Sequence, residues 1–153
     1  DRTPSTSSSS TNNQGGTGTT RTYYGGYIRL ITNKQPTFEC PDGDLYTTKG
    51  SEDGNKALTY PIGLITADEV AYAGGVYGQT NESYYLYTNS NYWTISPYYF
   101  NGSYAGVFIV YSTGQLFNTN VFSTRGVRPV INMKSNIQFS EGNGTSETPL
   151  VVS

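Results

Sequence analysis

The chain has 153 residues, enough for one domain with a single core, and its 9 basic residues nearly balance 11 acidic ones. Such sparse charge argues against nucleic acid partners and against a polybasic membrane contact, because both need clustered Lys and Arg. Histidine is absent, which removes the commonest general base and the commonest metal ligand.

Residues 1–20 consist mainly of Ser, Thr, Asn and Gly, with almost nothing to bury. This composition predicts a linker or tail ahead of a globular domain that spans residues 21–153. No signal-peptide pattern occurs, so we expect any export signal to lie upstream or to have been removed. Cys40 is the only cysteine, and we expect it to be a small buried hydrophobe.

The first predicted element is a strand over Tyr23–Thr32, because this segment is rich in aromatic and β-branched residues. Gly25-Gly26 would form a bend or bulge in it. Thr37–Gly54 is predicted to be loop. Within it, Asp42 and Asp44 offer the oxygen ligands that calcium takes, but the set is short, so a solvated turn is favoured and no cofactor or metal is expected.

One short helix is predicted over residues 66–75. Thr66-Ala67-Asp68-Glu69 fits a capping box, and Gly74-Gly75 would end the helix. Downstream, short strands alternate with turn residues, and Ser112–Gly114 predicts a tight hairpin. The predicted strands are Tyr84–Thr88, Tyr92–Ser96, Tyr104–Tyr111, Gln115–Phe122, Val127–Met133 and Leu150–Val152. The fold class is therefore α+β, mostly β.

Residues 83–124 contain no Asp, Glu, Lys or Arg. The stretch holds 13 of the chain's 22 aromatic residues, and Tyr, Ser, Gly and Asn fill 22 of its 42 positions. Such a composition is typical of antibody paratopes, because Tyr gives a large contact area for little lost freedom while Ser, Gly and Asn adapt their hydrogen bonds.

Some of these side chains must also form the core. Large apolar residues at strand positions are usually buried, which assigns Trp93, Ile95, Val107, Phe108 and Val110 to the interior. Consecutive rings after a proline are harder to bury together, so Tyr98 and Tyr99 are interpreted as contacts. The predicted ligand-binding face consists of Tyr98, Tyr99, Asn101, Tyr104, Tyr111, Phe117, Asn118 and Asn120.

The aromatic-rich stretch 83–124 contains no set of residues typical of a catalytic site, and we expect the protein not to be an enzyme. A glycosidase needs two carboxylates facing one sugar, and the aromatic-rich stretch has none. No nucleotide-binding, zinc or nucleophile-elbow motif is present. Arg128 is expected to be structural, paired with backbone carbonyls or with a carboxylate such as that of Glu69.

Four segments together resemble a group of Gram-positive surface proteins that often begin with a prepilin-type helix and end in this domain: Leu64–Gly75, Tyr92–Pro97, Gly126–Lys134 and Gly142–Pro149. The domain is similar to the formylglycine-generating-enzyme version of the C-type lectin fold, in which a T-x-x-E helix start, a Trp-containing strand and a terminal G-[FV]-R strand recur. The resemblance implies that fold. It does not imply the oxidase activity, because the catalytic cysteine pair has no counterpart.

The same fold family includes the variable proteins of diversity-generating retroelements, and Tyr98–Arg125 looks like their diversified region. The resemblance implies an extracellular, cell-surface recognition domain whose Tyr- and Asn-rich face contacts a protein or a glycan. The alternative is a structural subunit of a surface filament, which would use the same face for self-assembly.

Overall fold

A computed structural model describes residues 22–39, 60, 62–131, 133, 136–145 and 147–152. The predicted tail 1–20, Cys40 and the Asp42/Asp44 pair lie outside the described residues. In the described part the chain is mostly β, with antiparallel sheets and a few short helices, which confirms the predicted class at that level.

The elements in chain order are β1 (Thr22–Tyr23), α1 (Gly25–Tyr27), a π-helix (Ile28–Asn33), β2 (Ile62–Leu64), α2 (Ala67–Tyr72), β3 (Tyr92–Phe100), β4 (Ala105–Val110), β5 (Leu116–Asn120), β6 (Pro129–Ile131), β7 (Phe139–Glu141) and β8 (Val151–Val152). The main sheet has the strand order β1-β3-β4-β5, and two smaller sheets pair β2 with β6 and β7 with β8. All of these pairs are antiparallel.

The prediction of a strand over Tyr23–Thr32 is wrong, because only its first residue is in β1 and the segment then becomes helical. Gly26 is buried against β4, where an added Cβ would lie 3.3 Å from the Phe108 ring. The missing side chain lets the helical backbone approach the sheet, and Leu30 on the same segment enters the core. Tertiary packing thus overrides the local strand preference.

The predicted helix is confirmed as α2, with Thr66 as its N-cap. Thr66 Oγ1 accepts a hydrogen bond from the Glu69 N–H at 3.1 Å, and the Glu69 carboxylate accepts one from the Thr66 N–H at 2.7 Å. The helix docks on β3, because the Ala67 N–H donates to Ser96 Oγ at 2.9 Å. Gly74 follows the helix with a φ of 113°, a conformation that favours glycine.

Most of the predicted strands are confirmed, with shifted ends, but the one over Tyr84–Thr88 is wrong. In its place the chain turns, and the Leu86 carbonyl accepts bonds from side chains instead of a neighbouring strand. Tyr92 Oη donates to it at 2.9 Å and Arg128 Nη1 at 2.7 Å. This confirms the predicted carbonyl pairing of Arg128, whereas Glu69 serves the helix cap.

The core lies between the main sheet and the helical segments. It contains Leu30, Ile65, Ala67, Val70, Tyr84, Leu86, Tyr92, Tyr98, Phe108, Val110 and Leu116. Phe108 and Val110 are fully buried as predicted, but Ile95 is 36% exposed, so its assignment to the core is wrong. The small polar side chains of Thr94 and Ser96 take the inward positions of β3 and are satisfied there, Thr94 Oγ1 donating to the Phe108 carbonyl at 2.8 Å.

Within the described part of the chain, no helix has both the length and the apolar character needed to cross a bilayer. α2 has six residues, far short of the roughly 20 that a membrane-spanning helix requires.

Candidate functional site

An irregularity in β3 positions the first two predicted contact residues. The register of β3 against β4 shifts between Pro97 and Tyr99, at a position where proline cannot donate to the ladder. Adjacent side chains in a regular strand point to opposite faces. Here the rings of Tyr98 and Tyr99 instead contact each other, with centroids 5.3 Å apart.

Tyr98 lies in the core and is only 8% exposed, so the expectation of an outward ring is wrong for this residue. Its ring makes T-shaped contacts with the rings of Phe108 and Tyr27, at centroid distances of 4.8 and 5.2 Å. Its hydroxyl is hydrogen-bonded to the hydroxyl of Tyr77 at 3.0 Å. Tyr98 therefore supports the surface residues from below.

Tyr99 is half-buried, and its ring lies across the neighbouring strand at Gly106. A Cβ on Gly106 would come within 2.8 Å of Tyr99 Cε1, so only glycine leaves room for the ring. Tyr99, Gly106 and Asn120 occupy one cross-strand row. At the end of that row, Tyr99 Oη donates a hydrogen bond to Asn120 Oδ1 at 3.1 Å.

Asn118 lies two residues before Asn120 on β5 and is held in the same way by a phenol. Its Nδ2 donates to Tyr77 Oη at 2.7 Å. Tyr77 reaches this position because the segment after α2 forms a bridge to β5 at Leu116. Because strand side chains alternate, Asn118 and Asn120 point to the same face of the sheet.

Phe117 and Tyr111 extend the aromatic contacts along the sheet. Phe117 lies between Tyr77 and Tyr111, stacked on both, with ring centroids 5.1 and 5.2 Å away. Tyr77 in turn stacks on Tyr98 at 5.9 Å. The rings thus form one continuous series of contacts from the hairpin to the core.

Asn101 and Tyr104 lie in the turn between β3 and β4. Asn101 Oδ1 accepts hydrogen bonds from the backbone N–H groups of Ser103 and Tyr104, at 3.0 and 2.9 Å, so this side chain forms the turn. Tyr104 is 37% exposed, and its ring contacts Phe122 at 5.7 Å.

Four side chains form what we call the amide–aromatic surface: Tyr77, Tyr99, Asn118 and Asn120. All four are partly exposed. Each asparagine uses one polar atom to bind a phenol, and among the described residues Asn118 Oδ1 and Asn120 Nδ2 have no protein partner. The surface therefore offers one acceptor and one donor, set between aromatic rings.

The surface is uncharged. The side chains that form it include no Asp, Glu, Lys or Arg. Beneath it, burial, followed by the hydrogen bond to Tyr77, raises the pKa of Tyr98 above its ordinary value. Tyr98 therefore stays protonated at physiological pH. Such a surface can bind a ligand through stacking and neutral hydrogen bonds, without the cost of desolvating a charge.

Sequence reasoning missed Tyr77 and Gly106. Gly106 sits inside an apolar strand pattern, where an isolated glycine indicates close approach of another group. That pattern would have identified it. Tyr77 carries no comparable pattern, because its role depends on the turn that returns the chain from α2 to β5.

Tyr77 also lines a cavity of about 450 Å³, together with the polar side chains of Lys34 and Gln79. Apolar side chains of the π-helix and of β5, among them Leu30, Ile31 and Leu116, line it together with Val76.

Among the described residues, no group of three His, Cys, Asp or Glu side chains is placed to hold a metal ion.

No protein-family model, no curated protein and no solved structure matches this chain.

Proposed function

We propose that this chain is an extracellular ligand-binding domain of the adhesin type, which acts by recognition and not by catalysis. The amide–aromatic surface is the observation that carries this proposal. Asn118 Oδ1 and Asn120 Nδ2 have no partner in the part of the chain that the structure describes, and Tyr77 and Tyr99 hold both amides in place through hydrogen bonds. A preorganised neutral surface of this kind loses little freedom on binding.

The composition around this surface supports recognition at a cell surface. No charged residue occurs over residues 83–124, and the same residue types dominate antibody paratopes. The resemblance of four segments to Gram-positive surface proteins supports a C-type-lectin-like arrangement and an extracellular location. In this proposal Tyr99 and residues 117–120 lie within the diversified stretch 98–125.

Array binding tests the proposal directly. The purified protein is applied to a glycan array and panned against displayed random dodecapeptides, beside N118A and N120A. Each variant removes one free polar atom of the surface, so we expect binding to the selected probe to fall about tenfold. N136A, an exposed amide between β6 and β7, is the matched control and should bind like the unmodified protein.

Two outcomes would contradict the proposal. If neither array yields a binder, recognition of a peptide or a glycan is ruled out. If a probe binds equally well to N118A, N120A and the unmodified protein, the binding site lies elsewhere.

A filament subunit is the second candidate, favoured by apolar pairs on the two smaller sheets. Ile62 and Ile131 are cross-strand partners and are 55% and 64% exposed. Phe139 and Val152 are likewise partners, 47% and 51% exposed. Sedimentation over a concentration series, with I131T as the comparison, should show self-association that the variant weakens; a monomer throughout would rule out this candidate.

A further inference from the structure

β5 is the last strand of the main sheet, so its outer edge pairs with no further strand of that sheet. Two backbone hydrogen bonds fix the pairing at either end of the β4–β5 ladder. The Tyr111 N–H donates to the Gln115 carbonyl at 3.0 Å, and the Val121 N–H donates to the Ala105 carbonyl at 3.1 Å. Between them the register runs without a shift.

Opposed residues in an antiparallel ladder alternate between hydrogen-bonded and non-bonded pairs. Counting from either end, the backbone groups of Leu116, Asn118 and Asn120 therefore point away from β4. Leu116 confirms this assignment. Its N–H donates to the Val76 carbonyl at 3.2 Å, and its carbonyl accepts from the Gly78 N–H at 2.9 Å.

The segment that covers Leu116 leaves the edge immediately afterwards, because Gly78 has a φ of 72° and the chain turns back at Gln79. Asn118 thus keeps an outward N–H and carbonyl, and Asn120 an outward N–H, with no partner among the described residues. The Asn120 carbonyl accepts from the Ser123 N–H at 3.0 Å.

Native proteins protect exposed strand edges with Lys, Pro, a bulge or a covering segment. The edge formed by residues 118–120 contains no Lys, no Pro and no bulge. The free side-chain atoms Asn118 Oδ1 and Asn120 Nδ2 belong to the same two residues, so backbone and side-chain groups are available together.

We propose that this edge binds an extended, uncharged polypeptide segment of a partner protein, which adds to the main sheet as a fifth strand beside β5. The inference rests on the proposed function and names the class of its ligand. Only a peptide backbone repeats N–H and carbonyl groups at the two-residue spacing, roughly 7 Å, that separates Asn118 from Asn120.

Charge complementarity favours a neutral segment. Neither residues 117–120 of this edge nor Tyr77 and Tyr99 beside it carry a charged side chain, so a charged partner side chain would find no counter-charge among these residues. The side chains of Phe117 and Thr119 lie on one face of the sheet beside this edge. The side chains of Asn118 and Asn120 lie on the other face. Aromatic, hydroxyl and amide side chains suit both faces.

Hydrogen exchange tests the inference with a dodecapeptide selected from the random library. In the free protein, the amide hydrogens of Asn118 and Asn120 should exchange on the order of 100-fold faster than those of Phe117 and Thr119, which donate to β4. Saturating peptide should slow exchange at Asn118 and Asn120 to the rate of their neighbours. Unchanged exchange at both residues would overturn strand addition.

Backbone methylation of the peptide gives a second readout. N-methyl groups should weaken binding at least tenfold at every second peptide position and leave the intervening positions unaffected, because alternate N–H groups face the edge. N118P removes the outward N–H as well as the side-chain amide and leaves the β4 ladder intact, so it should weaken binding at least tenfold more than N118A, which keeps that N–H. A uniform methylation profile would overturn the inference.

Failure of this inference is distinguishable from failure of the proposed function. Binding of a glycan that N118A weakens would sustain recognition and reject strand addition. Slow exchange at Asn118 and Asn120 in concentrated protein without peptide would assign the edge to a second copy of the chain and overturn the inference.

Discussion

The Tyr99 hydroxyl reaches across Gly106 to donate a hydrogen bond to Asn120 on the far strand, at 3.1 Å. The ring therefore lies over the backbone of β4, and the space that the glycine leaves fixes one end of the amide–aromatic surface. Any side chain at position 106 must displace the ring or the strand.

G106A should lower stability by about 1–2 kcal/mol and weaken binding of the selected probe, because the new methyl group would lie 2.8 Å from Tyr99 Cε1. Urea unfolding measures the first effect and titration of the probe the second. G63A is the control, since a Cβ on Gly63 in β2 would meet no atom within 4 Å, and its stability should change by less than about 0.5 kcal/mol. Equal losses in the two variants would contradict the packing argument.

Two buried tyrosines should respond oppositely to loss of their hydroxyls. Y98F removes the hydrogen bond to Tyr77 and should cost about 1 kcal/mol. Y84F removes a buried hydroxyl that has no partner among the described residues, so it should be neutral or stabilising. Thermal unfolding of both variants measures the difference, and a larger loss for Y84F would show that its hydroxyl has a partner.

The sequence predicts α2 well because the capping box is a local device, complete within Thr66 and Glu69. It also predicts the hairpin at Ser112–Gly114, whose turn chemistry is local too. It fails at Tyr23–Thr32, where contact between Gly26 and Phe108, distant in the chain, decides the structure.

The residues of the candidate site likewise include some that the sequence predicts and some that it does not. The neutral composition and the alternation of side chains along β5 predict that Asn118 and Asn120 belong to the site, and both lie on the surface. The burial of Tyr98 depends on a register shift against β4, which no single strand sequence reveals. Tyr77 reaches the site because its segment forms a bridge to a strand about 40 residues away in the chain. No local sequence pattern indicates a contact of this kind.

Stability should fall at alkaline pH. Burial raises the pKa of Tyr98, Tyr84 and Tyr92 above the ordinary phenol value of 10.0, so the folded protein retains protons that the unfolded chain releases. The resulting stabilisation is fully present below about pH 10 and is lost as pH rises towards the folded values. Urea midpoints at pH 8 and pH 11 measure the loss, which should be smaller in Y98F; an equal decrease would exclude Tyr98 as a source.

The ion pair between Arg29 and Asp68 should be the most sensitive single polar contact. Arg29 Nε and Nη2 donate to the two carboxylate oxygens of Asp68 at 2.9 and 2.8 Å, and the Thr37 N–H donates to the same carboxylate at 3.0 Å. The Asp68 side chain is 4% exposed and that of Arg29 21%. Loss of the carboxylate charge would leave a mostly buried guanidinium facing an amide.

D68N should therefore lower the free energy of unfolding by about 3 kcal/mol, the lower end of the range for breaking a buried pair, because Arg29 keeps some contact with water. E69Q is the matched control on the next residue of α2. Its amide oxygen can still accept from the Thr66 N–H, so its cost should stay below about 1 kcal/mol. Chemical denaturation of both proteins decides the point: comparable losses would mean that helix capping, and not the ion pair, carries the stability of this region.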